Sequence, residues 1–213
     1  LASERIPPVP REEWDSWVGK IDLEPKVDSV LNQGSNGSCA AESSTQADMI
    51  TRALVGLPHV LLNPLFVYNT TSHGRDHGSS IDENLAFIRE HGIASEAVWP
   101  RSKGWRARPS AEANLDALQY QIDEFYDIGS VEEFVSALLR GFPVVWGAHG
   151  HSVCMVAHLN DREGTDVNSW GKNWGEGGFG VWAPYHQINW SYGAWAVRSV
   201  RIPDDAPDPP IPN

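Results

Sequence analysis

Cysteine is scarce in this chain, with two among 213 residues, Cys39 and Cys154. That excludes a disulfide framework, and at most one bridge could form. Long hydrophobic runs are also missing. The longest, such as Val153 to Ala157, fall far short of the ~20 apolar residues that cross a bilayer. The beginning of the sequence lacks the basic-then-apolar build of a secretory leader, and it starts at Leu1 rather than Met. Positive charge is in deficit: 16 Lys and Arg stand against 28 Asp and Glu, for a net charge of −12. Such a surface repels phosphate, so neither nucleic acid nor an anionic membrane is the expected partner. With both thiols expected free, a cytoplasmic or virion-associated monomer is favoured over a secreted protein.

What is present is enough to fold. Hydrophobic residues make up 41% of the chain, so a core can form without metal or disulfide staples. Residues 1–12 read as an extended Pro-rich arm. Cys39 to Leu54 reads as a helix with Ala40, Ala41, Ala47, Met49, Ile50 and Leu54 as its apolar positions. Asn63 to Tyr68 is a second, short helix, and Ile81 to His91 an amphipathic one closed by Gly92. After Tyr120 to Asp127, a strand, Ser130 to Arg140 is a helix with a capping box of Ser130 and Glu133. From Pro143 the period changes to β, with strands expected at 143–147, 152–159, 166–169, 178–183 and 194–202. The chain is therefore expected to be one α+β domain, 1–213, in two lobes. Residues 28–112 form the helical lobe, 113–202 the β-rich lobe, and 203–213 a Pro/Asp-rich tail.

Four residues form a set that can do chemistry. Cys39 opens a helix, where free N–H groups and the helix dipole stabilise a thiolate, so a lowered thiol pKa is expected. His151 follows the glycine-rich turn 147–150 and can act as base and acid. Asn168, on a later strand, can hold the imidazole in one tautomer without adding charge. Gln33, six positions before Cys39, can donate to an oxyanion together with the Cys39 backbone N–H. His149 and His158 are rivals to His151. His73, Asp76 and His77 invite a metal reading, but Arg75 sits among them and a fourth ligand is missing, so no metal or other cofactor is expected.

The stretch from Asn32 to Ser43, NQGSNGSCAAES, resembles the nucleophile motif of papain-like cysteine peptidases. Gly150-His151-Ser152-Val153 resembles their histidine motif. Asn168 to Gly180, NSWGKNWGEGGFG, resembles their asparagine motif, including both tryptophans. The order Gln, Cys, His, Asn is also that of the family, and the likeness spans roughly 28–182. It implies a papain-like two-lobed fold with the active site in the cleft between the lobes. It also implies a thiol peptidase with Cys39 as nucleophile, His151 as base and acid, Asn168 as orienter and Gln33 as oxyanion donor. By the same resemblance Trp170 shields the His151–Asn168 bond and Trp174 borders the leaving-group side. Gly78 and Ser79 pair with substrate backbone, Ile81 lines the pocket for the second residue before the scissile bond, and Gly150 offers its carbonyl. The implied partners are a peptide or protein substrate and a pro-segment or protein inhibitor.

Departures from the family pattern accompany these matches. Asn36 stands where the family usually has a cysteine, so one common disulfide is gone. Ala40 replaces a tryptophan. Glu42 replaces a phenylalanine and puts a carboxylate about one turn from Cys39, where burial would oppose a thiolate or call for a cation. Pro143 and His151 are only eight positions apart, which removes a long excursion and points to a divergent bacterial or phage-type member. The other readings these changes admit are a silent papain-fold binding or structural protein and a related amidase or acyl transferase.

Overall fold

The structure is a computed structural model, and residues 7–202 are described. The tail 203–213 and the first six residues of the expected arm lie outside the described residues. The rest of that arm is not extended throughout. Arg11–Glu13 forms a 3-10 turn that runs into a short helix α1, Trp14–Trp17, and Trp14 is buried.

Helix α2, Cys39–Leu54, is the axis of the molecule. Helices α3, Pro64–Thr71, and α4, Ile81–His91, follow on the same side. Asn63 caps α3 by accepting from Leu65 N at 3.0 Å, and Pro64 at the first helical position needs no donor of its own. Helix α5, Ala111–Ala117, had no expected counterpart. Ser110 caps it, accepting from Ala113 N at 3.1 Å, and Ala113 and Ala117 pack with Phe66, Ala94 and Trp99. The lobe boundary expected near Glu112 thus falls inside a helix packed on the helical side.

The β-rich lobe is one six-stranded antiparallel sheet in the order β1-β6-β2-β3-β4-β5. Its strands are β1 Ile122–Asp127, β2 Val144–Ala148, β3 His151–His158, β4 Gly164–Val167, β5 Phe179–Gly180 and β6 Ala194–Val200. Helix α6, Val131–Leu139, connects β1 to β2. Ser130 Oγ caps α6 through Glu133 N at 3.1 Å, but Glu133 Oε2 reaches Gly129 N rather than Ser130. Only half of the expected capping box forms.

β2 and β3 read as continuous apolar runs because both faces of the sheet are covered. Val145, Cys154 and Val156 pack towards α2 and the helical lobe. Their neighbours Val144, Trp146, Val153 and Met155 pack towards Phe134, Leu138 and Tyr185. Alternation thus divides one sheet between two cores. Truncating the fully buried Phe134 to Ala is expected to cost about 3–5 kcal/mol.

Helix α2 departs from a simple amphipathic reading. Every residue from Ala40 to Arg52 is buried, while Leu54, an expected core position, is 37% exposed. Its polar residues Ser44, Thr45, Gln46 and Asp48 face protein on all sides. Their small or slender side chains let the sheet and the other helices close around it.

Candidate active site

The loop before α2 is stitched to the loop after β4. Gln33 N donates to Ser169 O at 2.8 Å, and Gly171 N donates to Leu31 O at 2.9 Å. The Gln33 side chain adds to this. Its Oε1 accepts from Ser169 Oγ at 2.7 Å, and its Nε2 donates to Asn36 O at 2.8 Å. A second tie runs to the glycine loop. Asp76 Oδ1 accepts from Gly37 N at 2.7 Å and from the Tyr68 hydroxyl at 2.8 Å, and Gly78 N donates to that hydroxyl at 3.2 Å. A Cβ on Gly37 would lie 3.0 Å from Gly78 N and 3.1 Å from Asp76 Oδ1, so the close approach requires glycine. The region around Asn36 and Gly37 is thereby held by hydrogen bonds. The metal reading of this loop gains nothing: His73 pairs with Glu83 at 2.9 Å, and no cluster of three metal-ligating side chains occurs among the described residues.

Cys39 opens α2 as expected and is half-buried; it and Cys154 are both free thiols. Its protonation differs from the sequence expectation. Burial pushes the Cys39 thiol up, more than the backbone N–H groups of Ser152, Ala40 and Cys39 itself pull it down, and Glu42 adds to the rise. The N–H groups at the helix start are present, but the desolvation of a closed lobe interface outweighs them. Cys154 is fully buried and pushed up further, chiefly by desolvation.

Glu42 is fully buried one turn from Cys39, and it has found a cation. Arg101 grips it with two hydrogen bonds of 2.9 Å each, and Ser38 Oγ donates to it at 3.1 Å. The same guanidinium donates to Asn32 O at 2.5 Å, next to Gln33. Burial raises the Glu42 carboxyl, and the Arg101 hydrogen bonds and charge work against that rise. Arg101 lies on a 3-10 turn, Arg101–Lys103. Its role depends on a partner 59 positions away.

His151 is delivered by the tightest hairpin available. Ala148 and His151 are paired across β2 and β3, leaving His149 and Gly150 as the whole turn. Both have positive φ, 54° and 75°, the requirement of a two-residue hairpin that follows the sheet's twist. The His151 Nε2 atom lies 2.8 Å from Asn168 Oδ1, which also accepts from Ser169 N at 2.8 Å. Two indoles box the imidazole. Trp170 stacks on it at 4.6 Å between centroids, and Trp182 meets it edge-on at 5.0 Å. Trp170 in turn touches Trp174 at 6.0 Å and Trp182 at 5.3 Å. Burial lowers the His151 pKa, and the bond to Asn168 raises it by less. Imidazole and thiol therefore both lean towards their neutral forms.

Trp182 had no place in the sequence reading, and neither did its anchor. Asp166, fully buried on β4, accepts from Trp182 N at 3.0 Å and from the Trp146 indole N–H at 2.7 Å. Trp182 Nε1 closes the arrangement on Ala148 O at 3.1 Å. Desolvation pushes Asp166 to about 7. An aspartate two positions before Asn168 was the available signal, although one partner lies on β2 and the other in the irregular chain after β5.

A cavity of about 620 Å³ runs between the lobes. Cys39 and His151 line it, together with Gly78, Ser79, Ile81 and Gly150. The structure thus brings six of the expected site residues to one cleft. Asn168, Trp170, Gln33 and Trp174 are not among its lining residues; Asn168 bonds His151, Trp170 stacks on it, and Trp174 lies against Trp170. Two contacts qualify the expected roles. Gly78 N–H is already taken by Tyr68, and Ser79 Oγ accepts from the buried Asn84 Nδ2 at 2.8 Å. The far wall, Trp190 to Gly193 with Trp195, was not foreseen. Gly147 lets that wall approach, since a Cβ there would lie 2.9 Å from Tyr192 Cβ.

Helical lobe, antiparallel sheet and the cleft between them make this a papain-like fold. The chain is 25% identical over 231 residues to an uncharacterized peptidase C1-like protein of Acanthamoeba polyphaga mimivirus, a match covering 86% of this chain and 74% of that protein. Its structure matches xylellain, a cysteine protease from Xylella fastidiosa, with a TM-score of 0.73 and 23% identity, covering 91% of both chains. It also matches the Carica candamarcensis cysteine protease CMS1MS2 in complex with E-64, with a TM-score of 0.65 and 18% identity, covering 84% of this chain and 98% of that one. No protein-family model matches the chain.

Proposed function

We propose that the chain is a cysteine-type peptidase acting through a Cys39 acyl-enzyme. One observation carries the reading: His151 is fixed through Nε2 to Asn168, while the imidazole and Cys39 line the same cavity. The tautomer this favours carries its proton on Nε2, leaving Nδ1 as a base. Cys39 Sγ attacks the peptide carbonyl carbon, and the thiol proton passes to His151 Nδ1. The carbonyl oxygen becomes an oxyanion that the Cys39 backbone N–H and the Gln33 amide stabilise; Gln33 Nε2 has a second hydrogen beyond the one given to Asn36. The carbon–nitrogen bond breaks as His151 protonates the leaving amine. Water, deprotonated by His151, then attacks the thioester carbonyl, and Cys39 leaves with the proton returned. In this scheme the thiolate forms during attack, which suits the raised thiol pKa. Ile81, Gly78 and Ser79 border the amino side of the substrate, and the Gly150 carbonyl accepts from its backbone.

The test is treatment with an epoxide warhead that targets cysteine peptidases, followed by mass mapping of the adduct. Labelling is expected at Cys39 and not at Cys154, and is expected to vanish in His151→Ala. Equal labelling of both cysteines, or of neither, would remove the activated nucleophile.

A further inference from the structure

The lining of the cleft has a charge imbalance that the reaction itself does not use. Two carboxylates face it, Asp82 from the first turn of α4 beside Ile81 and Asp127 from the end of β1, while no Lys or Arg among the described residues lines it. They come from opposite lobes. Neither has a hydrogen bond or ion pair among the described residues, whereas Glu83 next to Asp82 pairs with His73 and Glu124 on β1 pairs with Arg198. Asp82 has a local reason to be where it is, since a negative charge suits a helix start. Asp127 ends a strand and has no such reason.

The surroundings of Asp127 are aromatic. It is the direct cross-strand partner of Trp195, so the two side chains share a face of the sheet. Trp190 and Tyr192 stand on the same wall, 41% and 44% exposed. Carboxylates beside exposed indole and phenol faces are the combination that holds a guanidinium or ammonium group. That the cavity receives a ligand is indicated independently. His151 is only 9% exposed, lines the cavity, and has no protein partner for Nδ1 among the described residues.

We infer that the cleft selects peptides with a basic side chain, arginine or lysine, on the amino side of the scissile bond, held between Asp82 and Asp127 against the Trp190–Tyr192 wall. The inference rests on the peptidase reading. A neutral side chain of the same length finds the aromatic wall but leaves both charges unmatched, and an acidic one is repelled. Each exposed charge contact contributes modestly, so a preference of about tenfold is expected at low salt, shrinking as salt screens it.

The test uses pairs of peptidyl epoxides that differ in one residue, arginine against citrulline, placed in turn at the first three positions before the warhead. The readout is the rate of Cys39 adduct formation by mass. At one of the positions the arginine compound is expected to label about tenfold faster at low salt, with the ratio collapsing towards one in Asp82→Asn/Asp127→Asn. Labelling at equal rates at all three positions would overturn the inference and leave the peptidase reading standing. A preference that survives the double substitution would overturn the assignment to these two carboxylates. Absence of any Cys39 adduct would overturn both readings.

Discussion

Asn168 Oδ1 lies 2.8 Å from His151 Nε2, and the imidazole it holds is stacked on Trp170. Asn168 is 2% exposed and carries no charge, so what it supplies is orientation. Replacing it with Ala is expected to lower kcat by about 10–100-fold with KM nearly unchanged. Steady-state kinetics on a fluorogenic peptide decides this, and an unchanged kcat would take Asn168 out of the mechanism.

Trp182 contributes burial rather than orientation. Burial is what lowers the His151 pKa, and Trp182 supplies one side of that enclosure. In Trp182→Ala the imidazole gains solvent, and its pKa should rise towards the unperturbed value of about 6.5. The acidic limb of the kcat/KM profile is then expected to move to higher pH. A limb that stays in place, or moves down, would count against this.

The Glu42–Arg101 pair should show the asymmetry of buried charges. Arg101→Met strands a carboxylate in the core and is expected to cost about 3–5 kcal/mol. Glu42→Gln added to that variant should recover a large part of the loss, because the unpaired charge is gone. Urea melts of the two single variants and the double variant form the cycle, and additive losses would refute the pairing.

Asp48, fully buried on α2, is pushed up from 3.8 to about 7 by desolvation, which the charge of Arg52 only partly offsets. Between these values the folded chain binds a proton that the unfolded chain has released. This contribution to stability is therefore full below the unfolded pKa and is lost as pH rises through about 7. Asp48→Asn removes the penalty of ionisation. The variant is expected to match the parent near pH 4 and to exceed it by about 4 kcal/mol at pH 8. Thermal melts across that range test the trend, and a gain independent of pH would contradict it.

Much of this was legible in the sequence, for physical reasons that differ by residue. Cys39, His151 and Asn168 could be read as candidates because the chemistry calls for those residue types and the likeness to papain-like motifs supplied their order and register. The α2 and α4 helices could be read from apolar spacing and, for α4, from Gly92 at its end. The thiol pKa could not be read, because the helix start argues one way and lobe closure, invisible in one dimension, argues the other. Nor could Leu54 be read as exposed, since the axis helix buries its polar side as well. Arg101, Asp166 and Trp182 act through partners on other elements, and no local pattern marks them. The strand expected at 178–183 reduces to Phe179–Gly180 because glycines and the turn to Trp182 leave few residues to pair.

The turn made of His149 and Gly150 has a further consequence. With only two residues and both φ values positive, it has no slack to lengthen or reshape without moving His151. Evolutionary drift and laboratory redesign must therefore look elsewhere for variety. The Trp190–Gly193 segment, which rests on Gly147 and borders the cavity opposite Cys39, is the replaceable part. Swapping it is the route to new selectivity that leaves the machinery intact.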